Sequence, residues 1–314
     1  MNTPYTQLLA TVAPVFVVVA CGFAMRRMGK LRPEADSSLF SVAVNFLYPC
    51  LIAHSVLGNA ALQDFRNVLL APVIGAALLL ISLAVAIVAS RALRLSRPQP
   101  ASTFAFTAAI PNWGYLPIPL VQGLYGEHTT GVLFVHNIGL ELMLWSVGVW
   151  YLTGEGSWKR AINIPFLAIL TALGLNLLNA GAWLPGFVLD SLRFLGQAAL
   201  PLSLLLTGVS LADAVGEGGL TKNVGTMFAG CLVKLAVLPP LIILAAKWLP
   251  CSVELKQVLV VQAAMPCAMV PVVLARYYRA DSGTAVRIVL GSTMLGLLTI
   301  PLWLRLGTAF VFAK

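Results

Sequence analysis

The sequence predicts an all-α membrane protein with ten transmembrane helices, arranged as two inverted five-helix repeats whose fourth and ninth helices are broken and cross. Three observations predict this fold: the composition, ten apolar runs, and landmarks that recur between the two halves. Of the 314 residues, 59% are hydrophobic and only 10% are charged, whereas soluble domains carry about a quarter charged residues. The composition therefore excludes a water-soluble enzyme and a disordered chain.

Ten stretches of the chain are apolar enough for membrane helices, which need about 20 mostly apolar residues. Each stretch is nearly free of Asp, Glu, Lys and Arg, and short connections join them, so no soluble domain is inserted. The predicted helices cover residues 5–25, 37–57, 67–90, 101–126, 129–154, 165–182, 194–212, 223–246, 257–275 and 288–304.

The net charge of +9 is explained by the placement of the cations and requires no nucleic-acid partner. Thirteen of the 20 Lys and Arg residues lie in the connections that follow odd-numbered helices, and six lie on the opposite side. Cytoplasmic loops of membrane proteins are enriched in Lys and Arg. The odd-numbered connections are therefore predicted to be cytoplasmic, with both termini on the other side of the membrane.

Three pairs of residues recur at spacings between 152 and 155, which predicts a repeat of residues 1–154 and 155–314. The pairs are Pro49 and Pro201, Pro111 and Pro266, and Tyr125 and Tyr278. A unit with an odd number of spans inserts in opposite orientations, and this inverted topology is typical of secondary transporters. Chance alignment of prolines, which are common in membrane helices, is the alternative.

The fourth and ninth predicted helices contain residues that break a regular helix. Helix 4 holds three prolines and a glycine between Pro111 and Pro119, and helix 9 holds Pro266 and Pro271. Each proline removes a hydrogen-bond donor and clashes with a carbonyl one turn earlier. Unwound backbone at membrane depth is tolerated only inside protein or along a cavity, so these breaks predict a functional crossing; two ordinary kinks are the alternative.

Helices that restart at such breaks present unpaired N–H groups with partial positive charge. Two of them that converge would bind an anion without a formal cation. For Asn45, a bond to a neighbouring helix is the favoured interpretation and a cavity-lining role the alternative. The candidate substrate-binding residues are Pro111, Asn112, Trp113, Gly114, Tyr115, Gln262, Met265, Pro266, Cys267 and Asn45.

Two ionisable residues, Glu141 and Lys234, lie near the middle of helices 5 and 8. An unpaired charge there costs about 2.5–3.5 kcal/mol, so the two either form a pair or one of them titrates during transport; a purely structural ion pair is equally favoured. Asn137 shares a helix face with Glu141, and His136 lies beside it, more simply as a packing residue than as a proton carrier. Gly22, Gly75 and Gly174 are interpreted as close-packing positions. No Walker loop or metal-ligand cluster is present, and no cofactor is predicted.

Four stretches of the chain resemble the auxin efflux carrier family, in particular its bacterial members. They are residues 45–51 (NFLYPCL), 112–126 (NWGYLPIPLVQGLYG), 198–211 (AALPLSLLLTGVSL) and 263–281 (AAMPCAMVPVVLARYYRAD). The resemblance implies crossed helices 4 and 9, a scaffold of helices 1, 2, 6 and 7, a moving unit of helices 3–5 and 8–10, and homodimers.

The resemblance also implies a function, with Pro111, Asn112 and Pro266 around a substrate carboxylate. We therefore expect a secondary transporter for a small organic anion, such as a dicarboxylate or an auxin-like acid, that works by elevator-type motion in a bacterial inner membrane. Cys267 and Glu141 stand where bacterial relatives often have Ser and Asn, and coupling to H⁺ or Na⁺ stays open. The alternatives are a bile-acid-type sodium symporter and a membrane receptor or sensor without flux.

Overall fold

The computed structural model describes residues 4–96, 99–216 and 224–313, apart from the side chain of Ala182. Within these ranges the fold is all helical, without a named strand, as the composition predicts. Seven helices are long and apolar enough to cross a membrane. Three cations of the charge asymmetry, Arg97, Lys222 and Lys314, lie outside the described residues.

The helices follow the predicted order, and the two interrupted segments each consist of two short helices, labelled a and b. Short 3-10 turns lie in several of the connections. In chain order the helices are α1 (Tyr5–Arg27), α2 (Pro33–Val56), α3 (Phe65–Ala92), α4a (Gln99–Ala109), α4b (Pro117–Tyr125), α5 (Glu127–Thr153), α6 (Ile164–Leu177), α7 (Gly186–Gly216), α8 (Val224–Trp248), α9a (Val253–Ala264), α9b (Val270–Tyr277) and α10 (Ser282–Val311).

Several helix ends differ from the predicted ones. Helices α7 and α10 contain 31 and 30 residues, because both continue past charged residues such as Arg193 and Arg305 that ended the apolar runs. Helix α6 is shorter than predicted and contains 14 residues; the chain turns at Asn179, which adopts a left-handed conformation with φ of 54°. Hydropathy therefore located the helices but not their ends.

Helices α2, α5 and α8 each contain one π-helical turn. These turns cover Ala43–Leu47, Leu144–Gly148 and Val233–Val237. The first contains Asn45 and the third contains Lys234. π-turns inside α-helices are frequent at functional sites, and Asn45 and Leu144 of the first two turns line the cavity described below.

Glycines allow the backbones of two helix pairs to approach closely. A Cβ at Gly22 of α1 would overlap the carbonyl of Leu205 in α7, and a Cβ at Gly75 of α3 would overlap the carbonyl of His136 in α5. Both close-packing predictions are therefore confirmed. The same prediction for Gly174 is wrong, because no atom lies within 4 Å of a Cβ placed there.

The helices pack in two groups. Helix α1 packs mainly on α7, and α2 packs on α6 and α7; in the other group α3 packs on α4a and α5, and α8 and α9a pack on α10. One end of the first group is closed by Arg26 of α1, whose guanidinium forms ion pairs with Asp36 of α2 and, at 3.0 Å, with Asp213 of α7. The interrupted segments both belong to the second group.

Candidate functional site

The breaks in helices 4 and 9 meet each other and are held together by the backbone. Pro111 and Cys267 form an isolated antiparallel bridge. The Asn112 amide donates to the Pro266 carbonyl at 2.8 Å, and the Ala268 amide donates to the Ile110 carbonyl at 3.1 Å. Two extended segments therefore cross side by side, and neither break is an ordinary kink inside a continuous helix.

Several amides at the crossing have no acceptor within the described residues. Asn112 Oδ1 accepts the Leu116 amide at 3.4 Å, and Pro117 and Pro119 carry no N–H, so the first turn of α4b offers few free donors of its own. The donors come instead from residues just before α4b and around the start of α9b. They are the amides of Trp113, Gly114, Tyr115, Met269 and Val270, for which no hydrogen bond is formed in the described chain.

A cavity of about 280 Å³ lies against these amides. Tyr48 and Tyr115 pack edge to face in its wall, with ring centroids 5.9 Å apart, and no Lys, Arg or His is among its described lining residues. The lining residues are Val44, Asn45, Tyr48, Asn112, Trp113, Gly114, Tyr115, Glu141, Leu144, Trp145, Asn163, Pro165, Ala268, Met269 and Val270. The cavity thus combines aromatic and apolar walls with amide donors.

Glu141 supplies the acidic group that lines this cavity. Its Oε2 accepts a hydrogen bond from Asn163 Nδ2 at 3.2 Å, and Asn163 in turn caps α6 by accepting the Phe166 amide at 2.9 Å. The carboxyl group is therefore held at the N-terminus of α6, and it lines the same cavity as the residues with free amides.

Asn45 lines the cavity and does not form the interhelical bond that was favoured from the sequence. Its side chain is exposed, and its Nδ2 donates to Ser41 Oγ of the same helix at 3.3 Å. The alternative interpretation of Asn45, a cavity-lining role, is therefore the one that its position supports.

A buried chain of hydrogen bonds ties α5 to both interrupted segments. Asn137 Nδ2 donates to the Trp113 carbonyl at 2.9 Å, and Gln262 Nε2 of α9a donates to Asn137 Oδ1 at 3.3 Å. Asn137 is 5% exposed and Gln262 is 3% exposed. Asn137 thus fixes the position of the break in helix 4 relative to helix 9.

Replacing Asn137 with alanine is expected to destabilise the protein by about 1–3 kcal/mol, because the Gln262 amide and the Trp113 carbonyl lose their buried partner. Thermal unfolding of the purified protein in detergent measures this loss. In a double-mutant cycle the pair Asn137→Ala and Gln262→Leu is expected to be less destabilised than the sum of its single changes. Strict additivity would show that the two side chains do not act together.

Lys234 and Glu141 do not form an ion pair. The two side chains lie on different sides of the crossing, and among the described residues no carboxylate lies within 4 Å of Lys234. Lys234 faces a small chamber of about 20 Å³, which it shares with Pro111, His136 and Gln262. The pairing hypothesis is therefore wrong.

The remaining predicted residues form the crossing itself. Met265 and Cys267 are buried, and neither they nor Pro266 line the larger cavity or the chamber behind the crossing. The Cys267 amide donates to Ser292 Oγ of α10 at 3.1 Å. Their contribution is to the shape of the break and not to direct contact with a ligand in the cavity.

Sequence reasoning missed Tyr48, Trp145 and Asn163 as cavity residues. Tyr48 lies beside Pro49 in a stretch that carries the family resemblance, so the sequence did contain a pattern that could have pointed to Tyr48 as a site residue. Asn163 precedes the Ile164-Pro165 start of α6 and gives only the signal of a helix cap, because nothing local indicates that α6 begins beside Glu141.

Polar contacts join α2 and the chain after it to α5 at the end of the molecule opposite the connection between α5 and α6. His54 of α2 contacts Glu127 of α5, with Nε2 and Oε1 3.0 Å apart. Next to this contact, Asn59 Oδ1 contacts His128 Nδ1 at 3.0 Å, and Asn59 Nδ2 donates to the His128 carbonyl at 3.1 Å. The cavity, by contrast, extends toward α6, where Asn163 and Pro165 line it.

Comparison with known proteins gives consistent matches over nearly the whole chain. A family model described as "Membrane transport protein" matches residues 7–157 and 149–304. An uncharacterized transporter of Methanothermobacter thermautotrophicus is 30% identical over 310 residues, which cover 93% of this chain and 96% of the relative. An uncharacterized transporter of Methanocaldococcus jannaschii is 23% identical over 300 residues, which cover 92% of this chain and 95% of the relative.

Proposed function

The chain belongs to the membrane transport protein family, the auxin efflux carriers that the sequence resembles, and on that premise we propose that it is a secondary transporter of a small organic anion. It is an integral membrane protein, and its family is one of transporters rather than enzymes. The proposed binding site is the cavity at the crossing of helices 4 and 9. The substrate class is a carboxylate, such as a dicarboxylate or an auxin-like acid.

The single observation that carries this proposal is that five residues with free backbone amides line the cavity. These residues lie just before α4b and around the start of α9b, where the helix dipoles add partial positive charge. In low-dielectric surroundings, such donors bind a carboxylate well. The Trp113, Tyr115 and Trp145 rings supply apolar contact for the rest of an organic acid.

The ten spans and their inverted repeat are part of the proposal. Under it, residues 1–154 and 155–314 each contribute five spans, with helices 4 and 9 at equivalent places. The antiparallel bridge between Pro111 and Cys267 supports this, because two repeats of opposite orientation bring equivalent segments together in antiparallel fashion. Thirteen cations after odd-numbered helices support an orientation in an inner membrane with both termini outside.

Transport by elevator motion is supported by the two packing groups. Helices α1, α2, α6 and α7 form the proposed scaffold, and helices 3–5 and 8–10, which carry the crossing, form the proposed moving unit of each protomer in a homodimer. The contact between His54 and Glu127 joins the two units at the end opposite the α5–α6 connection. The cavity extends toward that connection, so under this proposal the conformation is the inward-facing one, and the contact between His54 and Glu127 must separate when the other side opens.

Binding of carboxylates to the purified protein tests the proposed site. Succinate, benzoate and indole-3-acetate are each compared with the corresponding neutral amide by thermal unfolding in detergent. We expect at least one acid to stabilise the protein in a saturable way, by about 2.7 kcal/mol at a hundred times its Kd, and its amide to have little effect. Equal stabilisation by acid and amide would contradict an anion site.

Flux of the stabilising acid into proteoliposomes then separates the function classes. Uptake that exceeds that of protein-free vesicles supports transport. Saturable binding without flux in either direction would instead support the receptor or sensor, and strict dependence on Na⁺ would support the bile-acid-type symporter.

A further inference from the structure

Lys234 lies behind the crossing, on the side away from the larger cavity. Its side chain is 1% exposed and belongs to the π-turn of α8. It lines the 20 Å³ chamber with Pro111 of the helix 4 break and Gln262 of α9a. It is also near enough to Cys267 of the helix 9 break for the two side chains to interact electrostatically. The ammonium group therefore lies against both interrupted segments.

The positive charge of Lys234 has no acidic partner to balance it. Within the described ranges no Asp or Glu lies within 4 Å of it, and Glu141 lines the other cavity. A buried ammonium without a counter-charge is unfavourable. The groups near it that could stabilise its charge are the dipoles at the crossing.

The C-terminal ends of α4a and α9a provide such dipoles. These helices end at Ala109 and Ala264. The amides one turn further along the chain do not donate back to the carbonyls of these helix ends. Instead, the Asn112 amide donates to the Pro266 carbonyl, and the Ala268 amide donates to the Ile110 carbonyl. Cys267 likewise donates to Ser292, and Pro111 has no N–H.

As a result, the carbonyls of the last turns lose their usual helical donors. They are those of Thr107, Ala108, Ala263 and Ala264, which belong to residues that are 0–2% exposed. Carbonyls at a helix C-terminus carry partial negative charge and favour a nearby cation. Gln262 Oε1, which is buried without a hydrogen-bond partner, adds another acceptor at the chamber.

We propose that Lys234 is a built-in cation of the crossing, which neutralises the C-terminal ends of α4a and α9a where a transporter would otherwise hold a bound monovalent cation. The crossing then has two electrostatic faces. Amides and helix N-termini face the larger cavity and attract an anion, while carbonyls and helix C-termini face Lys234. The inference rests on the proposed function for the role of the larger cavity, and it predicts that the wild-type protein needs neither Na⁺ nor K⁺.

The variant Lys234→Ala tests this role, because it removes the ammonium and enlarges the chamber. Its thermal unfolding is measured in choline chloride and in NaCl or methylammonium chloride at equal ionic strength. In choline chloride we expect the Tm of Lys234→Ala to be lower than that of the wild type. We expect Na⁺ or methylammonium to restore more than half of this loss of Tm, with a saturable dependence on concentration. The wild-type Tm is expected to be the same in all three salts.

Two further variants control this experiment. Lys234→Met fills the chamber with a neutral chain, so we expect a low Tm that small cations do not raise. Lys247→Ala removes a cation from the outer end of the same helix, where Nζ donates to the Phe310 carbonyl, and its response to cations is expected to equal that of the wild type.

The inference is overturned if small cations stabilise Lys234→Ala no more than they stabilise the wild type. It is equally overturned if the wild type requires Na⁺ or K⁺ for thermal stability, a measurement that needs no variant and remains available if Lys234→Ala does not fold. Neither readout uses a substrate, so a failure of the transport proposal leaves this test intact.

Discussion

Replacing Gly114 with leucine is expected to abolish binding of the stabilising carboxylate while the protein stays folded. Gly114 lies between the free amides of Trp113 and Tyr115 and lines the cavity. A Cβ placed there would meet only the Tyr48 hydroxyl, at 4.0 Å, so a longer side chain extends into the cavity without clashing with backbone. The leucine would cover the amides and exclude the ligand, and we expect at least a hundredfold loss of affinity, about 2.8 kcal/mol.

Isothermal titration of the acid measures this loss, with Gly123→Leu as the matched control. Gly123 belongs to α4b, and no atom lies within 4 Å of a Cβ built on it, so leucine there should keep both affinity and Tm. Gly114→Ala adds only the tolerated Cβ and should bind with nearly wild-type affinity. Wild-type affinity in Gly114→Leu would show that the cavity is not the binding site.

Replacing Glu141 with glutamine is expected to remove the pH dependence of anion binding. A bound carboxylate shares the cavity with Glu141, and two like charges about 5 Å apart at an effective dielectric constant of about 20 repel by about 3 kcal/mol. Anion binding and protonation of Glu141 therefore favour each other. In the wild type the affinity should fall as the pH rises, by up to about tenfold per pH unit when one proton is taken up.

Ligand titrations between pH 5 and pH 8 measure this linkage, and uptake driven by a pH gradient in proteoliposomes measures its consequence for transport. Glu141→Gln should bind equally well at every pH, and it should still exchange ligand while losing accumulation driven by the gradient. Glu155→Gln, an exposed acid in the α5–α6 connection, should behave as the wild type. An unchanged pH dependence in Glu141→Gln would remove Glu141 from proton coupling.

The two interrupted segments show what a local pattern predicts well. Pro111 breaks helix 4 and Pro266 breaks helix 9, while Pro117 begins α4b, because a proline without an N–H affects its own turn of helix wherever the chain lies. The ends of the helices were harder to predict from the sequence. Arg193 stopped the apolar run of α7, yet it lies inside the helix, because the effect of a charge depends on whether that turn reaches the membrane surface.

The relation between Glu141 and Lys234 shows the opposite case. Their opposite charges and mid-helix positions suggested a pair, but in the structure Glu141 and Lys234 line different cavities. Asn163, which holds Glu141, comes from a helix cap 22 residues later in the chain. No spacing rule could have predicted that contact.

The sequence by itself determined that this protein is an all-helical membrane protein of a transporter family with two interrupted helices, because hydropathy, proline and short motifs act on the residues that carry them. Only the tertiary structure decided which amides stay free, that Glu141 lines the cavity and that Lys234 lies behind the crossing. Those properties depend on which groups from distant parts of the chain compete for the same hydrogen bonds and the same buried space, and that competition exists only after the helices have packed.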